Sequence, residues 1–207
     1  FYFMRDEMSK LQSLNLKEVK IKESKIYENK EDMLPSSAMY GKKTLNHLVL
    51  PDKLIEIQFS AFGHCNLTGS LYIPEGVKKI GDAAFVQCEL LTGFLSLPST
   101  LESIGNNAFD QCPFTCELLL PSKLKNIGIN AFFNCKNLYG KLHLPNTLSH
   151  LGSGAFQYCS SFSGSLSIPQ TITKIEEFTF RNCTGLNGIL TLHDGITSIE
   201  KGAFSKC

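Results

Sequence analysis

The chain has 207 residues, of which 43% are hydrophobic and 19% charged, so it can bury a core and is too apolar to be disordered. Its 20 basic and 19 acidic residues leave a formal net charge of +1, which excludes a strong field of one sign. No apolar run approaches the roughly 20 residues of a membrane-spanning helix. We therefore expect no nucleic-acid partner and no membrane insertion within this chain.

The first 50 residues are less regular than the rest. Leu11, Leu14 and Leu16 suggest one strand, whereas the Lys- and Glu-rich stretch from Lys17 to Asp32 fits no regular unit. Terminal units of a repeat protein differ from the others because one of their faces meets water. We predict that residues 1–50 form an atypical N-terminal capping region, with an insertion and a degenerate repeat.

From residue 51 onward, one unit of 23 or 24 residues recurs seven times. In each unit a proline position is followed eleven residues later by a phenylalanine, and a cysteine stands three residues further on. The proline positions are Pro51, Pro74, Pro98, Pro121, Pro145, Pro169 and His193; the phenylalanines are Phe62, Phe85, Phe109, Phe132, Phe156, Phe180 and Phe204; the cysteines are Cys65, Cys88, Cys112, Cys135, Cys159, Cys183 and Cys207. We predict seven tandem repeats over residues 51–207. The last is incomplete, which suggests a mature form or a fragment of a longer protein.

Each unit predicts one coil of a solenoid. Leu or Ile occurs one and three residues before the proline position, as in Leu71 and Ile73, which predicts a strand with one buried face. Aliphatic residues three and six places after the proline, as in Val77 and Ile80, predict a second short extended segment. The phenylalanine, the residue before it and the cysteine predict a single helical turn. The fold class expected is α/β: a leucine-rich-repeat solenoid, a right-handed coil of parallel short strands with short helical turns.

The unit from Leu71 to Cys88, with the sequence LYIPEGVKKIGDAAFVQC, resembles the BspA-like leucine-rich repeats of bacterial and some protozoan surface proteins. The resemblance covers about residues 34–207. It implies a secreted or cell-surface protein that binds other proteins or takes part in adhesion, with no catalytic residues to transfer. The chain departs from the family pattern at Glu176 and Glu200, where Gly is usual, and at Thr179, which replaces Ala.

Eight cysteines in a chain that resembles surface proteins would ordinarily suggest a disulfide framework. Seven of them share one repeat position, however, so we expect an inward row of reduced structural thiols, with Cys207 as the most probable exception. In-register side chains rarely present the dihedral angle that a disulfide needs. Cys116 instead occupies a loop position where other units have Gly, and is either an accessible reactive thiol or a tolerated substitution.

No residues combine into a recognisable catalytic or metal site. The five histidines fall at different repeat positions, and Cys112 with Cys116 has no second pair that would complete a zinc site. His193-Asp194 lacks an accompanying activated nucleophile. We predict no enzyme activity, no cofactor and no metal.

The outward residues of the first strand, two and four places before the proline position, vary between units while the inward ones do not. Tyr72, Phe94 and Leu119 fall on consecutive coils and predict an apolar binding patch, which Lys141 and His143 would flank. The competing interpretation is that these are ordinary exposed strand residues. The sequence favours a protein-binding or adhesion module whose partner is a host surface or matrix protein, or a glycan. The alternative is a structural spacer within a longer surface protein.

Overall fold

The computed structural model describes residues 1–23 and 30–207, so the stretch from Lys17 to Asp32 lies partly outside the described residues. Its one helix, α1, spans Tyr2–Asp6. The strands are β1 (Ser13–Asn15), β2 (Met33–Leu34), β3 (His47–Val49), β4 (Glu56–Ile57), β5 (Leu71–Tyr72), β6 (Lys79–Ile80), β7 (Leu95–Ser96), β8 (Ser103–Ile104), β9 (Asn126–Ile127), β10 (His150–Leu151), β11 (Leu166–Ser167), β12 (Lys174–Ile175), β13 (Leu190–Thr191) and β14 (Ser198–Ile199). Every strand pair is parallel, as a solenoid requires.

The second extended segment of each coil forms the longest sheet. Six strands pair in the order β10-β9-β8-β6-β4-β2, and each aligns residues that share a repeat position, such as Ile80 with Ile104 and Ile104 with Ile127. These inward isoleucines are fully buried because the coils above and below cover them. The predicted solenoid of parallel short strands is therefore confirmed. The α/β label is wrong, since α1 is the only helix in the described part of the chain.

The predicted helical turn around each phenylalanine is also wrong. In the coil of Phe85, the amides of Ala84, Val86 and Cys88 donate to carbonyls three residues back within the coil. The alternate amides, of Ala83, Phe85 and Gln87, donate to carbonyls of the next coil at 2.7–2.9 Å. Ala83 and Gln87 adopt left-handed backbone conformations, with φ of 54° and 52°, which turn every second amide out of the coil. The segment is thus a series of tight turns that continues the inter-coil ladder.

Phenylalanine rings fill the centre of the solenoid as one stack. The seven repeat phenylalanines lie face to face with their neighbours, with ring centroids 5.3–5.9 Å apart and interplanar angles of 3–20°. A further inward column, which the sequence analysis did not identify, packs beside the stack. Its members follow the cysteines by two or three residues: Leu67, Leu91, Phe114, Leu138, Phe162 and Leu186. The coils therefore share one continuous core.

Glycine allows the coils to approach closely along the six-stranded sheet. A Cβ on Gly128 would lie 2.6 Å from the backbone nitrogen of Asn106, and one on Gly152 would lie 2.5 Å from that of Ile129. Glu176 holds the same repeat position in the next coil, and there the sheet stops. The pair β12–β14 forms a separate sheet. The six-stranded sheet thus ends where Glu176 replaces glycine, although Glu200, in the same repeat position, does not prevent the pairing of β12 with β14.

The first strand column is interrupted earlier, beside Cys116. By equivalence with Leu71, whose amide donates to the Phe94 carbonyl at 2.8 Å, the Leu95 amide would donate to the Glu117 carbonyl. It instead donates to Sγ of Cys116 at 3.4 Å. In the described part of this column, the next coils are joined by two isolated bridges, Glu117 with Tyr139 and Gly140 with Phe162, and not by a ladder. A regular ladder resumes at β11–β13.

The N-terminal region adds strands to both columns, since β1 pairs with β3 and β2 with β4. Lys42 occupies the position that cysteine holds in the later units and is buried. Its Nζ donates to the carbonyls of Arg5 and Met8, near the C-terminal end of α1, where a cation is favoured. Lys42 therefore ties α1 to the first coils, and the division of the chain at residue 50 stays a prediction.

Candidate binding surface

We call the outward residues of the first strand column, two and four places before the proline position, the outer face. The three predicted patch residues lie on it and are well exposed, Tyr72 by 66%, Phe94 by 60% and Leu119 by 70%. Tyr72 aligns with Ser96 across β5–β7, so Phe94 lies diagonal to Tyr72, within reach of an aromatic side chain. Three large apolar side chains on consecutive coils thus meet solvent.

Lys141 and His143, the predicted flanking residues, are exposed on the next coil and line a cleft of about 320 Å³. The cleft lies between residues 141–146 of one coil and residues 165–169 of the next, with Thr191 beyond. Leu142, Leu144 and Leu166 contribute apolar surface to it. Two kinds of surface therefore follow each other along the outer face, first apolar and then polar.

The side that carries the six-stranded sheet has polar groups that bond one another. Along the six-stranded sheet, Nζ of Lys79 lies 3.1 Å from a carboxylate oxygen of Glu56, and Lys125 lies 2.8 Å from Glu102. The Asn126 amide donates to the Ser103 hydroxyl at 3.1 Å. These pairs join neighbouring coils. They leave this side with fewer unpaired groups to offer a ligand than the outer face has.

The cysteine row contributes to the interior and not to the surface. Cys65, Cys88, Cys112, Cys135, Cys159 and Cys183 are fully buried, Cys207 is exposed, and all eight cysteines of the chain are free thiols. Each thiol of the row donates to a carbonyl of the preceding coil at 3.0–3.1 Å, as Cys112 does to Phe85. Burial raises the pKa of Cys65 to about 12 and holds that of Cys135 well above its usual value. The buried thiols are therefore protonated and poor nucleophiles.

The expectation of an accessible thiol at Cys116 is wrong. The residue is only 3% exposed, its Sγ accepts the Leu95 amide, and burial raises its pKa. The Cys116 side chain turns inward and replaces a missing backbone acceptor. The alternative interpretation, a tolerated substitution, agrees with this placement.

The described residues offer little for catalysis or metal binding. His193 Nε2 lies 3.0 Å from the Ile172 carbonyl and its Nδ1 accepts the Gly195 amide, so both ring nitrogens have backbone partners. Across residues 1–23 and 30–207, no three histidine, cysteine or acidic side chains gather in a group that could hold a metal ion. In the same ranges no helix has the length and hydropathy needed to cross a bilayer.

Comparison with known proteins identifies the family. A family model described as the BspA type leucine-rich repeat region matches six copies over residues 32–163 and 163–207. The chain therefore belongs to the BspA-type leucine-rich repeat family. A search of curated proteins finds no significant match.

Two solved structures are similar to this chain. The leucine-rich repeat protein of T. pallidum is 25% identical with a TM-score of 0.67, and the match covers 84% of this chain and 79% of that one. A leucine-rich cell surface protein of Faecalibacterium prausnitzii is 23% identical with a TM-score of 0.47, covering 84% of this chain and 60% of that one.

The sequence analysis overlooked part of the surface. Tyr139, which is 48% exposed, bridges to Glu117 beside the patch, two residues away from the register that the repeat predicts. Ser165, Ser167 and Thr191 were placed on the outer face, but not in a cleft. The replacement of Gly by Cys116 gives a signal for the shifted register at Tyr139 but none for the cleft, whose coils have Gly140 and Gly164 at that position.

Proposed function

We propose that this protein is a non-catalytic binding module of the cell surface or of secreted proteins, and that its outer face binds another protein. The observation that carries the proposal is the exposure of Tyr72, Phe94 and Leu119 on three consecutive coils. Large apolar side chains grouped on one surface are typical of protein interfaces, where aromatic residues often contribute most of the affinity. The location is drawn from the BspA-type family resemblance.

The distribution of charge supports the choice of this face. Glu117 and Lys141 are the charged members of the outward positions in the seven units, whereas the remaining members are apolar, hydroxyl-bearing or histidine side chains. Interface centres are depleted in charged residues in the same way. The side bearing the six-stranded sheet has inter-coil ion pairs instead, and a partner would have to break or accommodate them.

The test is a binding screen of the purified chain against host surface and matrix proteins, followed by the double variant Tyr72→Ala with Phe94→Ala. Loss of these two aromatic side chains is expected to lower the affinity for the partner at least about 30-fold. The matched control is Phe59→Ala, since Phe59 is 56% exposed and lies outside the outer face. Thermal melts show whether each variant keeps its fold.

Binding that survives the double variant, or that Phe59→Ala weakens equally, would place the partner elsewhere. A chain that retains no protein in the screen would instead favour the spacer role.

A further inference from the structure

The cleft beside Lys141 is a site of a different kind from the apolar patch. Six polar side chains line it, namely Lys141, His143, Asn146, Ser165, Ser167 and Thr191. Its volume of about 320 Å³ falls at the lower end of the range for small-ligand sites. The cleft is thus large enough for a small polar molecule to lie between two coils.

The backbone amides and carbonyls at the cleft lack the hydrogen bonds that join the strands of neighbouring regular coils. In β5 the Leu71 amide donates to Phe94 of the next coil, and in β11 the Leu166 amide donates to Ile189 at 3.0 Å. Within the described chain no backbone hydrogen bond joins residues 141–144 to residues 165–168. Leu142 is nevertheless 2% exposed, so its backbone lies in a poorly hydrated place. The groups that a ligand can reach are those of the exposed residues beside it, Lys141 and His143.

The cleft is too narrow for an inserted peptide strand. The two coils are joined on one side of it by the Ser163 amide, which donates to the Gly140 carbonyl at 2.8 Å. On the other side the Thr171 hydroxyl donates to the Asn146 carbonyl at 3.3 Å. A strand between them would need about twice the usual 4.7–4.9 Å separation of paired strands. A sugar ring that lies across the mouth of the cleft, against its exposed side chains, requires no separation of the coils.

The chemistry of the lining indicates which molecule fits. Hydroxyl, amide and imidazole groups can donate and accept hydrogen bonds, as sugar hydroxyls require, and the leucine surface suits the C–H face of a ring. Lys141 is the one residue of fixed charge in the lining, and no carboxylate is present to neutralise it. The Lys141 side chain passes along Gly164 of the next coil. Its Cγ lies 3.5 Å from the point where a Cβ would stand if residue 164 had a side chain. Its ammonium group therefore lies beside the gap.

We propose that this cleft binds a monosaccharide unit that carries a carboxylate, of the uronic or sialic acid class. Lys141 pairs with the carboxylate, and Ser167, Thr191 and Asn146 bond the ring hydroxyls. The proposal does not depend on protein binding at the apolar patch, although the two sites share the outer face.

The experiment titrates the full chain with glucuronate and N-acetylneuraminate, and with glucose as the neutral comparison, by isothermal calorimetry or ligand-observed NMR. An acidic sugar is expected to bind more tightly than glucose. Lys141→Gln is expected to lower the affinity for the acidic sugar about tenfold, the effect of one charge-assisted hydrogen bond. Lys78→Gln, on the side of the six-stranded sheet, is the control and leaves affinity unchanged.

A second variant tests the cleft without altering charge. Ser167→Val fills the cleft with a side chain that strands favour, and it is expected to weaken the binding of every sugar. Ser96→Val, at the equivalent position outside the cleft, is expected to leave sugar binding unchanged. The double variant Tyr72→Ala with Phe94→Ala is expected to retain acidic-sugar binding, which separates this proposal from the protein-binding one.

Two results would overturn the proposal. In one, neither acidic sugar binds more tightly than glucose. In the other, N-acetylglutamate amide, a carboxylate without a sugar ring, binds as tightly as the acidic sugars, which would assign the cleft to protein carboxylates.

Discussion

The two strand columns of this solenoid arise from the same repeat, yet one is continuous and the other is broken. The second column pairs through six consecutive coils, from β2 to β10. The first column pairs in three separate places, β1–β3, β5–β7 and β11–β13. Strand propensity cannot explain the difference, because inward Leu and Ile recur in both columns. The continuous column coincides with a run of consecutive glycines at the closest approach between coils.

Along the continuous column, Gly81, Gly105, Gly128 and Gly152 place backbone against backbone, and pairing fails where Glu176 follows them. In the first column Gly93 has the same role, since its Cβ would lie 2.7 Å from the carbonyl carbon of Gly69, and regular pairing fails at Cys116 in the next coil. Consecutive glycines therefore favour a ladder but are not required for one, since β12 pairs with β14 with Glu200 in the glycine position and β2 pairs with β4 across Gln58. The proposed sugar cleft lies where the outer face has no regular ladder, between the coils of Gly140 and Gly164.

The largest effect is expected from a methyl group in the glycine column of the continuous sheet. Gly128→Ala would bring Cβ to 2.6 Å from backbone atoms of Gly105 and Asn106, which cannot move without separating two coils. We expect unfolding free energy to fall by about 2–3 kcal/mol. The matched variant is Gly69→Ala in the first column, whose built Cβ has no neighbour within 4 Å. Its φ of 73° alone predicts a loss of about 1 kcal/mol.

Chemical denaturation measures both values. Equal losses for the two variants would show that close approach of the coils does not distinguish the columns.

Much of this architecture could be predicted from the sequence, because repeat positions convert directly into stacked positions. The pairings Leu71 with Leu95 and Ile80 with Ile104 follow from counting along the units. The exposure of Tyr72 and Phe94 follows from strand alternation. Periodicity is informative here because every coil repeats the same environment for each position.

The remainder could not be predicted, because it depends on where individual residues break the repeat. The Ala-Phe segment has residues spaced as in a helical turn, but the left-handed conformations of Ala83 and Gln87 are not evident from residue type. Cys116 was interpreted from its loop position, whereas its burial depends on the Leu95 amide in the preceding coil. The cleft beside Lys141 arises from missing bonds between coils, and a pattern of residues within each coil does not report these.

A smaller effect is expected from repairing the end of the continuous sheet. Glu176→Gly removes the side chain at the coil junction, so we expect the amide at position 176 to gain a ladder bond and exchange its hydrogen more slowly. The stability gain is expected to be under about 1 kcal/mol, since one hydrogen bond is offset by the conformational entropy of glycine. Lys174 would keep its second ion pair, with Glu200 at 3.3 Å.

Native-state hydrogen exchange measures this change. Glu177→Gly is the control, since Glu177 is exposed and lies next to the junction position, and it should lower stability without slowing exchange. Unchanged exchange at position 176 in Glu176→Gly would mean that something other than the glutamate side chain separates the coils.

The smallest effect is expected in the native protein, where thiol labelling detects local opening that exposes individual cysteines. Cys207 is exposed and is expected to react first, whereas Cys116 and Cys135 are buried and their pKa values are raised by burial. The Cys116 thiol accepts the Leu95 amide of the adjoining strand in the broken column, so exposure of the thiol requires local opening of the outer face. Cys135 lies beside the phenylalanine stack, and its exposure requires two coils to separate. We therefore expect mass spectrometry to show labelling in the order Cys207, Cys116, Cys135. Labelling of Cys116 as fast as Cys207 would mean that the outer face opens freely, whereas labelling as slow as Cys135 would mean that the broken column is as stable as the continuous one.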